Sequence, residues 1–274
     1  TGVPMAFILA DILDESRIRG VLATERPDLV FHAAAHKHVA MLERNPAEAI
    51  TNNCFGTRLL VRLAEEYAVG LFVAISTDKA VNPSSVMGCS KLLAERYVQA
   101  FSATSRTTFV VVRFGNVLGS NGSVVPKFQE QILRGGPVTV TDPNVERFFM
   151  TIPEAAQLVI QASAIGKGGE IFLLDMGAAV KIVDLARDMI SLSGCDEDEI
   201  GIEFTGLLPG EKLTEELVSA EEQRVRTWHP KVCCVVGPRA VLEEVDELFE
   251  RLELLPGESP EMIRQSLQRL VPEY

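Results

Sequence analysis

Short runs rich in Val, Ile, Leu and Phe alternate along this chain with longer stretches whose apolar positions recur at helical spacing. Strands covered on both faces read as near-continuous apolar runs, so the alternation predicts parallel strands joined by helical crossovers. The pattern predicts strands at residues 5–11, 29–35, 71–77 and 108–116, with helices at 14–25, 46–68 and 84–103 between them. The second of these helices opens at Asn45-Pro46, a capping side chain followed by a proline whose missing N–H costs nothing in a first turn. After Gly115 the rhythm loosens: helices are predicted at 124–133, 153–165, 182–193 and 241–252, and short strands at 138–141, 147–151, 171–175 and 202–205. The fold class predicted is α/β, a doubly wound parallel sheet lacking its first strands, with a smaller α/β lobe for substrate. Residues 1–118 and part of 150–200 are assigned to the sheet lobe, and residues 119–150 and 200–274 to the smaller lobe and the C-terminal helices. No repeat or flexible linker separates the lobes, so they are expected to fold together.

With 274 residues, 47% of them apolar and 23% charged, the chain can bury a core. No segment approaches the roughly 18 consecutive apolar residues of a membrane helix, and none resembles a signal peptide. The five cysteines are odd in number, lack CxxC spacing and lie in apolar segments, which predicts buried thiols in a reducing compartment, the cytoplasm. A net charge of −12 argues against nucleic acid as a partner, although a few local Lys and Arg suffice for a diphosphate. The chain starts at Thr1 and passes at once into an apolar run, and is read as a fragment.

Chemistry concentrates in Ile75-Ser-Thr-Asp-Lys-Ala-Val-Asn-Pro-Ser-Ser-Val-Met-Gly-Cys-Ser-Lys91. An apolar strand ends in Ser76, Thr77, Asp78 and Lys79, and strand ends of parallel sheets are where ligands bind. Met87 and Lys91 are four residues apart and share one helix face, which can look back at those groups. The same residue types also cap strand-to-helix turns, and a helical Met is often only core. His32, His36 and His38 fall on a strand end and a loop rather than in a ligand-like cluster, so no metal is expected.

This stretch resembles the active site of short-chain dehydrogenases/reductases, in which a strand-end Ser or Thr precedes a Tyr-x-x-x-Lys pair; Met87 stands at the tyrosine position. A thioether exchanges no proton, but Ser-Thr-Asp-Lys-Ala-Val-Asn-Pro followed by Val-Met-Gly-x-x-Lys is similar to the polysaccharide-biosynthesis branch of UDP-N-acetylglucosamine 4,6-dehydratases, whose larger, membrane-anchored members carry this methionine. Further similarities are the Asp11-Ile12 strand end, His32-Ala-Ala-Ala35 with Lys37-His38-Val39, Asn45-Pro-x-Glu-Ala49, Asn53 with Gly56-Thr57, Arg113-Phe-Gly-Asn-Val-Leu-Gly119, Thr139-Val-Thr-Asp142 with Arg147-Phe-Phe-Met-Thr151, and Gly206-x-x-Pro-Gly-Glu-Lys-Leu213.

The resemblance implies a Rossmann-like fold, bound NAD, and a redox-neutral dehydration of a UDP-sugar. Hydride leaves sugar C4, the C5 proton becomes acidic, water departs from C6 and the hydride returns there, with retention at C5. Catalysis is then expected from Thr77 at the C4 oxygen, Asp78 protonating the departing hydroxyl, Lys79 removing the C5 proton, Met87 as a wall and Lys91 on the nicotinamide ribose. Cofactor contacts are implied for Asp11 and Ile12 near adenine, Ala33, Ala34 and Ala35 below the ribose and diphosphate, and for Lys37, Asn53, Ser76 and Lys91. Substrate contacts are implied for Lys37, Asn116, Lys127, Arg147 and Glu211, while Leu208 stands where the family commonly has arginine. No GxGxxG occurs in the sequence, so weak NAD affinity is expected. The family also implies a homo-oligomer and a parent anchored on the cytoplasmic face of the inner membrane. A UDP-hexosamine epimerase and a catalytically silent nucleotide-sugar-binding fragment are the competing readings.

Overall fold

A computed structural model describes residues 4–274. Helix α1 (Glu15–Glu25) starts on Asp14, whose carboxylate accepts the Arg17 N–H at 2.9 Å, and leads to strand β1 (Leu29–His32). Helices α2 (Val39–Arg44) and α3 (Pro46–Glu48) run into a wide π-helical turn, Ala49–Phe55, that continues as α4 (Gly56–Glu66). Strand β2 (Leu71–Ile75) ends in a tight turn, Asp78–Ala80, before α5 (Val86–Ser102) and β3 (Thr108–Arg113). Then come β4 (Asn116–Val117), α6 (Val124–Leu133), β5 (Val138–Val140), β6 (Glu146–Arg147) and β7 (Phe149–Met150). Helix α7 (Ile152–Ile165) and strand β8 (Glu170–Leu174) are followed by β9 (Val180–Lys181), α8 (Ile182–Leu192), α9 (Glu197–Ile200) and β10 (Ile202–Phe204). Strands β11 (Gln223–Arg226) and β12 (Val232–Val236) precede helices α10 (Leu242–Glu253) and α11 (Pro260–Leu270).

The main sheet has the order β1-β2-β3-β8-β12-β11; its first four strands are parallel, β12 pairs antiparallel with β8, and β11 pairs antiparallel with β12. Apolar side chains of α4, α5, α10 and α11, among them Val61, Tyr97, Phe249 and Leu267, cover one face, and those of α7, such as Leu158 and Ala162, cover the other. A separate core of Phe128, Val138, Val140, Ala186 and Ile190 joins α6, β5 and α8 into a smaller lobe. Arg113 is 2% exposed and clasps Glu95 of α5 with Nε and Nη2 (2.6–3.0 Å) and Glu222, just before β11, with Nη1 (2.8 and 2.9 Å). Among the described residues no helix is long and apolar enough to cross a membrane.

The predicted strand at 5–11 does not form: these residues are irregular and exposed, and among the described residues no strand pairs with them. The predicted helix 46–68 is interrupted by the π-helical turn, and the 108–116 strand breaks at Phe114 into β3 and β4. Residues 200–274, assigned from sequence to the smaller lobe and C-terminal helices, divide differently. Only β10 pairs there, with β5, while β11 and β12 complete the main sheet and α10 and α11 pack on α5.

Candidate functional site

The C-terminal ends of β1, β2 and β3 open into one cavity of about 350 Å³. Hydrogen bonds continue beyond the end of β2, from Ser76 N–H to Val112 O (2.8 Å) and from Asp78 N–H to Phe114 O (3.1 Å), and hold the Ser76–Asp78 backbone against the neighbouring strand. Helix α5 then closes down on the turn. Ser85 caps it by accepting the Gly88 N–H at 3.0 Å, and a Cβ at Gly88 would lie 2.2 Å from Lys79 O, so only glycine permits this approach.

Thr77, Lys79, Met87, Lys91 and Asn116 all line the cavity. Asp78 does not; it is fully buried behind the wall. Its Oδ1 accepts from Thr77 Oγ1 and from Lys79 Nζ, each at 2.9 Å, while Oδ2 has no partner and sits where a side chain at Gly115 would come to 3.0 Å. Lys79 Nζ also donates to Asn116 Oδ1 at 3.0 Å. Lys91, 7% exposed, donates to Ile75 O at 2.7 Å, which ties α5 to the end of β2. Burial pulls its ammonium below the ordinary lysine value, against the field of Glu95.

On the opposite wall lie Ala33, Ala35 and Lys37, the last donating from Nζ to Ser120 Oγ at 3.3 Å across the mouth. The hydroxyls of Ser76 and Ser123, both lining the cavity, are buried without a partner. Two orphan hydroxyls, small alanines and an ammonium with unused N–H groups form a polar cradle suited to a ribose and a planar ring, and they fit the nicotinamide end of NAD. No glycine-rich loop for its pyrophosphate occurs in the sequence.

Several residues singled out in the sequence lie elsewhere. Asn53 is fully buried in the π-helical turn, donates to His36 O and Ser90 Oγ (both 3.0 Å) and accepts the His36 N–H (2.8 Å), so it braces the loop after β1 without lining the cavity. Asp11 is exposed and accepts the Leu13 N–H at 2.9 Å; the half-buried Ile12 packs near Gly56, and Ala34 is exposed and does not line the cavity. Lys127 is exposed on α6. Arg147, 6% exposed, donates to Glu146 O (2.7 Å), Leu213 O (3.1 Å) and Glu211 Oε1 (3.1 Å), so both members of this expected substrate pair are already engaged with each other. Thr141 Oγ1 adds a further bond to Glu211 at 3.0 Å.

Sequence reading passed over Glu215, which is 5% exposed with Oε1 3.7 Å from Lys79 Nζ and 4.0 Å from Arg147 Nε. Its position four residues after Glu211, on a loop already singled out, was the available signal. It also passed over Gly115, whose lack of a side chain makes room for Asp78.

A parallel doubly wound sheet with a polar cavity at its strand ends and a Lys one helical turn past the wall defines an enzyme fold of the short-chain dehydrogenase/reductase class. The sequence profile of the polysaccharide biosynthesis protein family matches residues 2–236, and the chain belongs to that family. It is 52% identical over 246 residues to the capsular polysaccharide biosynthesis protein CapD of Staphylococcus aureus, covering 89% of this chain and 41% of that protein. It is 38% identical to a UDP-glucose 4-epimerase of Rickettsia bellii over 79% of this chain and 62% of that one. Identity to a UDP-N-acetylglucosamine 4,6-dehydratase (inverting) of Campylobacter jejuni is 33%, over 81% of this chain and 64% of that one. The chain thus spans less than two thirds of the length of each of these relatives. Among solved structures, Pen from Bacillus thuringiensis superposes with a TM-score of 0.79 at 39% identity, covering 86% of this chain and 74% of that one. A dTDP-glucose 4,6-dehydratase from Streptomyces venezuelae with NAD bound shares the fold at a TM-score of 0.69 and 23% identity, covering 77% of this chain and 70% of that one.

Proposed function

We propose that the protein is a nucleotide-sugar lyase that carries out NAD-dependent 4,6-dehydration of UDP-N-acetylglucosamine, giving a UDP-4-keto-6-deoxy-N-acetylhexosamine for surface polysaccharide. The observation that carries this reading is the convergence of Thr77, Lys79, Met87, Lys91 and Asn116 on one cavity, with Asp78 bonded behind them. Bound NAD would supply the acceptor for the hydride leaving sugar C4 and its donor back to C6. Ser76, Lys91 and the wall of Ala33 and Ala35 would hold its nicotinamide end.

Thr77 meets the sugar 4-hydroxyl. Because the Thr77 hydroxyl itself donates to Asp78 Oδ1 at 2.9 Å, a proton leaving the sugar has a path through Thr77 onto the buried carboxylate. That path does the work of the phenol that Met87 replaces. Lys79, the amine at the cavity wall, removes the C5 proton. The proton stored on Asp78 returns through the same bonds to the C6 hydroxyl, which departs as water. Lys79 gives a proton, exchanged with solvent, back to C5 as the hydride arrives at C6. Asn116 and Lys37 face the hexose. Arg147 reaches a diphosphate only by exchanging Glu211 for it, and a bidentate guanidinium suits that exchange. Lys127 lies outside this constellation and would act on the diphosphate only at long range.

The identity to a Rickettsia UDP-glucose 4-epimerase supports a second reading on the same scaffold, inversion at C4. Mass separates the two. The protein from its complete reading frame, supplied with NAD and UDP-N-acetylglucosamine, is expected to release a product lighter by one water. A product of unchanged mass would replace the lyase with the epimerase, and the proton couplings of the dehydrated product report whether C5 is retained or inverted.

A further inference from the structure

Glu215 takes no part in the chemistry above, yet it sits at the seam between the lobes beside the amine that does. It lies on the loop after β10, with Oε1 3.7 Å from Lys79 Nζ and 4.0 Å from Arg147 Nε and with Oε2 buried and unpartnered. The groups packed around it come from every neighbouring element. Asp78 and Lys79 belong to the turn after β2, Arg147 to β6, and Glu211 and Lys212 to its own loop, where Lys212 is occupied with Val81 O (3.0 Å) and Glu216 (3.5 Å). Lys91 on α5 and His36, Lys37 and His38 after β1 line the remaining walls of the cavity.

Three carboxyl groups, on Asp78, Glu211 and Glu215, therefore surround the two cations Lys79 and Arg147. Burial pushes the Glu215 carboxyl above the usual carboxylate range, Lys79 and Arg147 pull it back, and Asp78 adds to the rise. A carboxylate kept in so dry a place with half its acceptors idle is costly for stability alone.

We infer that Glu215 is a positioning residue for Lys79: it anchors the ammonium between Asp78 and Asn116 and, by sharing one oxygen with Arg147, links that amine to the smaller lobe. The inference rests on the reading of Lys79 as the working amine of the cavity. Glu215 touches no cavity surface and acts only through its neighbours. Removing its charge takes away one of the ammonium's three oxygen partners and leaves the Lys79 side chain freer to move.

The test is competitive acetylation of the whole protein with acetic anhydride from neutral to alkaline pH, read lysine by lysine by peptide mass spectrometry in wild type, E215Q and E215D. With E215Q, Lys79, released from that anchor, is expected to react about three- to tenfold faster than in the wild type at the same pH. E215D is expected to lie between, with the exposed Lys167 unchanged in all three. On turnover, E215Q is expected to lower kcat about tenfold or more with little change in KM for the sugar nucleotide, and E215D to recover part of it. A Lys79 profile identical in wild type and in a folded E215Q overturns the inference, as does an identical profile in E215D should E215Q fail to fold. Labelling needs no turnover: a faster-reacting Lys79 in an E215Q protein that releases no dehydrated product upholds the positioning role and removes the lyase reading.

Discussion

At the end of β1 a buried imidazole is held by one hydrogen bond. Thr57 Oγ1 donates its hydrogen to Asn53 O at 2.6 Å, so the 2.9 Å contact with His32 must use an Nε2–H of the ring, and Nδ1 is left buried without a partner. Burial, with a smaller push from Lys91, lowers the His32 value to about 3. In the unfolded chain the ring titrates near ~6.5. Above that pH it is neutral in both states. Below it the unfolded chain takes up a proton that the folded chain refuses, so stability falls as pH falls, by about 2 kcal/mol between about pH 7 and about pH 5. H32Q should lose that much less over the same interval in urea unfolding, and equal acid losses in the two proteins would contradict the assignment. Glu215 works with the opposite sign: its raised value makes the fold bind a proton more tightly, so its contribution falls as pH rises through the carboxylate range. Thr77, Lys79, Met87 and Lys91 could be brought together from the sequence because a strand end and helix spacing fix them locally, whereas Asn116 was pointed to only by the family resemblance. The withdrawal of Asp78 behind the wall and the presence of Glu215 were not legible, because both depend on what packs across from β4, β6 and the loop after β10.

Elements were legible where their own pattern decides them. The helix predicted at 124–133 is α6 to the residue, and α5, α7, α8 and α10 start and stop within a few positions of expectation. Strand β11 escaped notice because Gln-Arg-Val-Arg is a fully exposed edge with no apolar face, and it exists only by pairing with β12. Helix α11 carried a readable start, Ser259 capping Met262 N–H at 3.3 Å followed by Pro260, whose weight the charged surroundings hid. The clasp of Arg113 on Glu95 and Glu222 pins the edge of this added sheet to α5 and β3. R113L leaves those carboxylates facing each other without their cation, and should cost about 3–5 kcal/mol in chemical denaturation. A loss below about 1 kcal/mol would mean that the clasp is not a keystone of the sheet.

At the scale of the molecule, the main sheet supplies an edge of strand ends and the smaller lobe supplies the wall that faces it. Their cavity lies where parallel sheets place ligands, and the loop bearing Glu211 and Glu215 reaches from the smaller lobe to the turn after β2. The doubly wound class was legible from the alternation of apolar runs and amphipathic helices. The assignment of residues 200–274 was not, since the return of β11 and β12 to the main sheet is a long-range pairing that no local period announces. The central claim is that Lys79 takes a proton from C5 of a hexose held in this cavity. Turnover of UDP-N-acetylglucosamine in heavy water by the protein from its complete reading frame tests it most directly. The account predicts deuterium at C5 of the dehydrated product and a loss of at least about 100-fold in its formation by K79Q; a dehydrated product without deuterium at C5, or a K79Q variant working at the wild-type rate, would contradict it.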